Sequence, residues 1–256
     1  MDLAYTVSGF AVGAIVGLTG VGGGSLMTPL LVLLFGVSPA TAIGTDLLYA
    51  AITKAGGAVV HARQRHVRLD IVGRLALGSI PGALATIAIL SASHFDHSAF
   101  GRIATELLGV ALILTALAIL GKNRLQIWGG RAADAWRERW IGSLTILVGF
   151  VLGVLVTLTS VGAGALGVAA LFFLYPRLPT RHIVGSDIAH AVPLTLVAGL
   201  GHAHLGTVDW SLLASLLLGS LPGIWLGSSL SSRVPERILR SGLASLLVII
   251  GGRLVL

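Results

Sequence analysis

The stretch Gly9-Phe10-Ala11-Val12-Gly13, continuing to Thr19-Gly20-Val21-Gly22-Gly23-Gly24-Ser25-Leu26, returns 140 residues later. The second copy reads Gly149-Phe150-Val151-Leu152-Gly153, then Thr159-Ser160-Val161-Gly162-Ala163-Gly164-Ala165-Leu166. Beyond Pro179 the register is 141. There Gly44-Thr45-Asp46 answers to Gly185-Ser186-Asp187, His61-Ala62 to His202-Ala203, and Gly78-Ser79-Ile80-Pro81-Gly82 to Gly219-Ser220-Leu221-Pro222-Gly223. Dispersed identities holding one register are a duplication, not chance. Both copies of the Gly run sit in apolar surroundings. A duplicated membrane unit with a glycine-broken helix in each half is the usual build of a secondary transporter.

The bulk composition agrees with a membrane protein. Hydrophobic residues make up 55% of the chain and charged residues 11%, and the mean hydropathy is +0.95, far from an ordinary soluble domain. The 35 glycines suit close helix packing in lipid. With no cysteine, disulfides and thiolate metal sites are excluded. The start Met1-Asp2-Leu3 carries no basic region, so a cleaved signal peptide is not expected. A net charge of +7 could suggest nucleic acid, but the basic residues lie in short loops between apolar segments. That is an orientation signal, and no nucleic-acid partner is expected.

Apolar segments cover residues 3–19, 24–35, 40–60, 70–91 and 98–120, then 140–159, 164–175, 180–200, 209–230 and 235–256. The organisation expected is a first membrane repeat over 1–120, a polar cytoplasmic linker over 121–139 and a second repeat over 140–256, all one membrane domain. Spanning helices need about 20 residues. The segments from Gly24 and Gly164 are too short: twelve helical residues cover about 18 Å of a hydrocarbon core about 30 Å thick. Each is a re-entrant half-helix or the continuation of a broken span.

The basic residues separate these arrangements. With re-entrant hairpins each repeat makes an odd number of passes and the repeats are inverted. Fourteen Lys/Arg then fall on one side, among them Arg63, Arg65, Arg68, Arg74, Arg177, Arg181 and Arg237, against Arg102 and Arg253 on the other, with Lys54 within the membrane. With broken single spans the asymmetry shrinks to about ten against six. The positive-inside rule therefore favours inverted repeats with both termini outside. The fold expected is an all-α polytopic membrane protein of two inverted repeats, each a Gly-broken re-entrant or short helix followed by three spanning helices.

Glycines at 20–24 and 162–164 let the backbone leave helical geometry and let a ligand approach the main chain. The helix that follows begins with unpaired N–H groups and a positive dipole end, a ready anion site. The expected substrate contacts are Thr19, Gly22, Gly23, Gly24, Ser25 and Lys54, with Thr159, Gly162, Ala163 and Gly164 from the second repeat. The bland alternative is that these glycines only permit tight packing. Ionisable residues within spans are costly and face a partner or a cavity. Asp46 and Asp187 are repeat mates, and His190 shares a helix face with Asp187; these three are the candidates for proton coupling. Lys54 answers to Thr195, so the half-sites are chemically unequal. It suits an anionic substrate, or else merely neutralises an aspartate. Glu106 reads as structural. His61, His66, His202 and His204 lack carboxylate or cysteine company and read as interfacial loop residues rather than metal ligands. Neither a metal nor another cofactor is expected.

Enzymatic motifs are missing: the sequence has no G-x-S-x-G, H-E-x-x-H or Walker pattern. Ser25 after three glycines matches an intramembrane serine protease by composition only. An anion channel or facilitator for small oxyanions is the alternative reading, since Gly-lined pores also use helix N-termini.

On Gly13-x-x-x-Gly17-x-x-Gly20-Val21-Gly22-Gly23-Gly24-x-x-x-x-Pro29-Leu30, Gly44-Thr45, His61, Val67 and Gly78-x-x-Pro81-Gly82, with their second-repeat counterparts, the chain closely resembles the sulfite exporter TauE/SafE family of the toluene-sulfonate uptake permease superfamily. The resemblance covers nearly the whole length. It implies a multi-pass transporter of the bacterial inner membrane that moves a small sulfur-containing anion, sulfite or an organosulfonate, usually outward. Its partners would be that anion and membrane lipid, with a homodimer left open. The second repeat departs by placing Ala169 opposite Pro29 and Ala163 for the middle glycine. Asp46 and Lys54 stand where many members carry plainer residues, which points to a sulfonate-handling subset.

The charge asymmetry generates a direct test on this cysteine-free background. Single cysteines replacing Arg65 and Arg237 should react with membrane-impermeant maleimide only from the cytoplasmic side. A cysteine after Leu256 should react only from outside, and a cytoplasmic C-terminus would instead restore parallel repeats.

Overall fold

The computed structural model describes residues 3–19, 24–92, 97–131, 134–230 and 236–255. Among these residues the chain is all-helical, with no strand. Ten α-helices follow in order: α1 Leu3–Thr19, α2 Gly24–Phe35, α3 Pro39–Arg63, α4 Leu69–Ala92, α5 His97–Arg131, α6 Asp134–Thr159, α7 Ala165–Leu174, α8 Thr180–His204, α9 Trp210–Leu230 and α10 Glu236–Val255. Five of them carry a stretch long and apolar enough to cross a membrane: α4, α5, α6, α8 and α9. The two short segments expected from the sequence are the 12-residue α2 and the 10-residue α7.

Helix boundaries follow local chemistry. α3 begins at Ser38, whose Oγ accepts the Thr41 N–H at 3.3 Å, and Pro39 occupies the first turn, where its missing N–H costs nothing. Gly164 opens α7 without any side-chain cap. α5 does not stop at the end of its apolar run; it continues to Arg131, and at about 1.5 Å per residue it is far longer than the hydrocarbon core. Residues 121–131 are thus a helical projection of α5, and 134–139 open α6.

The packing mirrors the sequence duplication in its two most extensive helix pairs. α1 lies against α9 and α4 against α6, so each pair joins one helix from either repeat. A Cβ at Gly9 or Gly13 of α1 would run into the backbone of Leu216 or Ser220, and one at Gly149 or Gly153 of α6 into that of Leu75 or Ser79, the repeat mates. Reciprocally, Gly219 and Gly223 lie on Thr6 and Phe10, while Gly78 and Gly82 lie on Ile146 and Phe150. Two loop bonds recur in the same way: Arg68 N–H donates to Ser186 Oγ at 2.9 Å and Asp209 N–H to Thr45 Oγ1 at 3.0 Å.

α3 and α8 pack on each other and carry most of the buried polar groups. Asp46, Lys54, Asp187 and His190 are buried, while large apolar side chains such as Leu77, Ile89 and Trp225 are exposed. This polar interior under an apolar periphery is what a hydrocarbon surrounding selects. α3 is not among the strongly apolar spans; its stretch from Ala42 to Ala51 is buried within the protein.

The glycine contacts make a sharp contrast. Gly78→Val and Gly219→Val should each cost about 1–3 kcal/mol or more, since backbone cannot yield to an added side chain. Gly56→Ala and Gly73→Ala, which meet nothing within 4 Å, should stay within about 0.5 kcal/mol. Thermal unfolding in detergent measures both, and equal losses at all four positions would contradict this packing.

Candidate functional site

Three segments converge where α6 breaks before α7. Ser160 follows the last turn of α6 with φ +58°, a left-handed conformation that is uncommon for a residue with a side chain. Gly162 and Gly164 follow with φ +118° and +150°, values that only glycine adopts without strain. The break is closed internally by Thr159. Its Oγ1 donates to the Leu155 carbonyl at 2.7 Å and accepts the Val161 N–H at 3.1 Å, so this hydroxyl serves the turn.

Asp46 is the anchor of this region. It is wholly buried, and its Oδ2 accepts from Thr28 Oγ1 at 2.6 Å and from Ser160 Oγ at 3.0 Å. One carboxylate oxygen thereby ties α2, α3 and the α6–α7 break together. Lys54 lies two turns further along α3, also buried, and its Nζ donates to the Ala163 carbonyl in the same break. Among the described residues no carboxylate lies within 4 Å of this ammonium. Asp187 and Asp46 are the acids near enough to act on it through space.

Asp187 is the repeat mate of Asp46 but lives differently. It is buried, and neither carboxylate oxygen has a hydrogen-bond partner among the described residues. Its Oδ1 lies against Gly167 in the first turn of α7, where any Cβ would overlap it. The cause is in the sequence: the mates of Thr28 and Ser160 are Val168 and Gly20, neither of which has a hydroxyl. His190 is one turn beyond Asp187, and its Nε2 shares a hydrogen bond with Ser79 Oγ of α4 at 2.8 Å, leaving Nδ1 unpartnered. No hydrogen bond joins Asp187 to His190 among the described residues. Tyr49, the mate of His190, stands beside Ser220, the mate of Ser79.

Of the residues expected from the sequence, Lys54, Asp46, Asp187, Ala163 and Gly164 come together, with His190 one turn away. Gly22 and Gly23 lie outside the described residues, and Thr19, Gly24 and Ser25 fall at the ends of α1 and α2. Thr28, Ser160, Ser79 and Gly167 were not singled out. For Thr28 and Ser160 the available signal is mismatch between the repeats, hydroxyl against valine or glycine, which identity matching passes over; Ser79, identical to its mate Ser220, carries none. Glu106 lies 3.8 Å from Arg102 on an exposed face of α5. His202 corrects the interfacial expectation: it is buried and its Nε2 donates to the Thr157 carbonyl at 2.9 Å. No group of three or more potential metal ligands with metal-holding geometry is present among the described residues.

Hydrogen bonds to a charged group contribute about 1.5–3 kcal/mol each. Thr28→Val and Ser160→Ala should each lower stability by that amount, measured by thermal unfolding in detergent. Val168→Thr, which offers a hydroxyl near Asp187 at the mate position, should not lower it. Indifference to Thr28→Val would show that Asp46 is not the tie described.

The chain matches the profile of the family described as sulfite exporter TauE/SafE over residues 5–254. It is 42% identical over a 258-residue alignment to the probable membrane transporter protein YjnA of Bacillus subtilis (strain 168), covering 100% of both chains. A second Bacillus subtilis relative, the probable membrane transporter protein YdhB, is 30% identical over 91% of this chain and 92% of its own. The probable membrane transporter protein MJ0441 of Methanocaldococcus jannaschii is 24% identical over 96% of this chain and 92% of its own. No solved structure gives a significant match. With a family match across almost the entire length, the protein is a multi-pass membrane transporter, not an enzyme, and belongs to the sulfite exporter TauE/SafE family.

Proposed function

We propose that this protein exports a small sulfur-containing anion, sulfite or an organosulfonate, across the bacterial inner membrane by alternating access. The observation that carries the reading is the buried Lys54 ammonium resting on the Ala163 carbonyl at the uncapped start of α7. A neutral carbonyl is a weak partner for a buried charge. An oxyanion arriving at the same place would meet the ammonium, the positive end of α7 and backbone that glycine leaves accessible. In the sequence, the counterpart from the first repeat is the run Gly22–Gly24.

Charge balance gives the proton its place. Asp46 is held by two hydroxyls, whereas Asp187 has none among the described residues and lies near Lys54. A proton on Asp187 removes the negative charge that opposes the entering anion, so anion and proton occupancy are linked. His190, one turn away, is the group through which such a proton would pass. An inside-negative potential pushes an anion outward by about 2.3 kcal/mol per charge per 100 mV, a drive that acts only on charge the accompanying proton does not cancel.

Inverted repeats complete the reading. The swapped pairs α1–α9 and α4–α6 form two bundles that could rock about the α3–α8 core, with the arginine-rich loops in the cytoplasm.

The test is sulfite flux in proteoliposomes. Saturable uptake with counterflow is expected, and a linear, counterflow-free flux would instead mark a channel. Lys54→Ala should raise the half-saturating sulfite concentration about tenfold or more, equivalent to about 1.4 kcal/mol or more, in protein that still elutes as a folded species. An unchanged value would remove Lys54 from the site.

A further inference from the structure

Three imidazoles meet at the end of the molecule that carries Arg63, Arg65, Arg68 and Arg181. His61 sits in the last turn of α3, His66 in the turn before α4 and His182 in the first turn of α8. The rings of His61 and His66 are 6.0 Å apart and tilted, and those of His66 and His182 are 5.6 Å apart, edge to face. All three Nδ1 atoms are buried, and among the described residues none has a hydrogen-bond partner. We propose that His61, His66 and His182 form a proton-binding clasp that holds the end of α3 against the start of α8 when neutral and releases it on acidification.

The surroundings set the sign. The charged groups on the packed segments are Arg63 on α3, Arg65 and Arg68 in the turn, Asp70 and Arg74 on α4, Arg177 in the α7–α8 connection and Arg181 on α8. The one acid among them, Asp70, is already paired with Arg68 at 2.9 Å. Asp187, further along α8, lies with its carboxylate on Gly167 of α7. A proton taken up by the trio therefore places like charges side by side in cationic surroundings, which disfavours the closed arrangement.

The other end of the molecule lacks the device. The mates of His61, His66 and His182 are His202, Thr207 and Thr41, so one imidazole remains instead of three. His202 is satisfied on both nitrogens, by the Thr157 carbonyl at 2.9 Å and by Thr207 Oγ1 at 2.9 Å, and Thr41 shares a hydrogen bond with Ser38 at 2.8 Å. One end of the α3–α8 contact responds to acid and the other is fixed by hydrogen bonds. Because α3 carries Asp46 and Lys54 and α8 carries Asp187 and His190, loosening one end opens the polar core towards the arginine-rich face alone. This inference concerns the helix contact and stands whatever the transported anion is.

Amide hydrogen exchange on the full chain in detergent tests it, at about pH 7.5 and about pH 5.5, either side of the ordinary imidazole pKa. Rates are corrected for the intrinsic effect of pH. The reporters at the clasp are the His66 amide, bonded to the His61 carbonyl at 2.9 Å, and the Arg68 amide, bonded to Ser186. Their mates Thr207 and Asp209, bonded to the His202 carbonyl and to Thr45, are the internal control. Protection at 66 and 68 should fall about tenfold at the lower pH, the equivalent of one pKa unit, while 207 and 209 hold. The difference should vanish in H61Q/H66Q/H182Q and shrink in H182Q alone, the variant that decides if the triple does not fold. Equal protection at both pH values in the unmodified protein, equal loss at both ends, or a pH response unchanged in H182Q would each overturn the clasp.

Discussion

Backbone meeting backbone at glycine is the constraint on which the rest of this molecule rests. α1 on α9 and α4 on α6 touch along rows where a single methyl would collide with main chain. In lipid, apolar side chains gain little from leaving one hydrocarbon surrounding for another, so association depends on close dispersion contact and on polar groups finding partners. Small residues provide the first and the α3–α8 interior the second. Because each close pair takes one helix from either repeat, neither repeat can complete its packing alone.

That interlocking positions the site. With the outer pairs fixed, α3 and α8 stack centrally, and their polar residues face each other and the α6–α7 break instead of lipid. Asp46 then performs a structural task, drawing Thr28 and Ser160 onto one oxygen. Its mate Asp187 has Val168 and Gly20 at the corresponding positions of the sequence, and among the described residues neither of its carboxylate oxygens has a partner. Duplication has given two equivalent places, and side-chain divergence has made one a tie and the other a buried carboxylate unpaired among the described residues, near a buried lysine. A buried group without a partner carries a cost that stability alone does not explain, which is why such groups are sought at functional sites.

Much of this was legible in the residues. The short segments at 24–35 and 164–175 are α2 and α7 within a residue or so, because glycine runs and hydropathy act locally and need no partner to be read. The polar stretch after Leu120 was less legible. Hydropathy sees the end of the apolar run at that point, but helix propagation requires only backbone hydrogen bonds and tolerable side chains, and α5 runs on to Arg131. Lys54, Asp46 and Asp187 could be named from the cost of charge in a membrane. Thr28, Ser160 and Ser79 could not, since a hydroxyl is unremarkable along a helix until a carboxylate or imidazole is known to lie across from it.

The sequence by itself determined the membrane class, the duplication, the broken helices and the burial of Asp46, Lys54, Asp187 and His190, because composition, periodicity and the price of charge in lipid are properties of single segments. Only the tertiary structure decided which groups meet. Asp46 and Ser160 are 114 residues apart, Lys54 and Ala163 109, and Ser79 and His190 111. Pairings across such distances depend on how the two repeats interlock and on which face each helix turns inward. Those are outcomes of the whole packing, to which no segment holds the key alone.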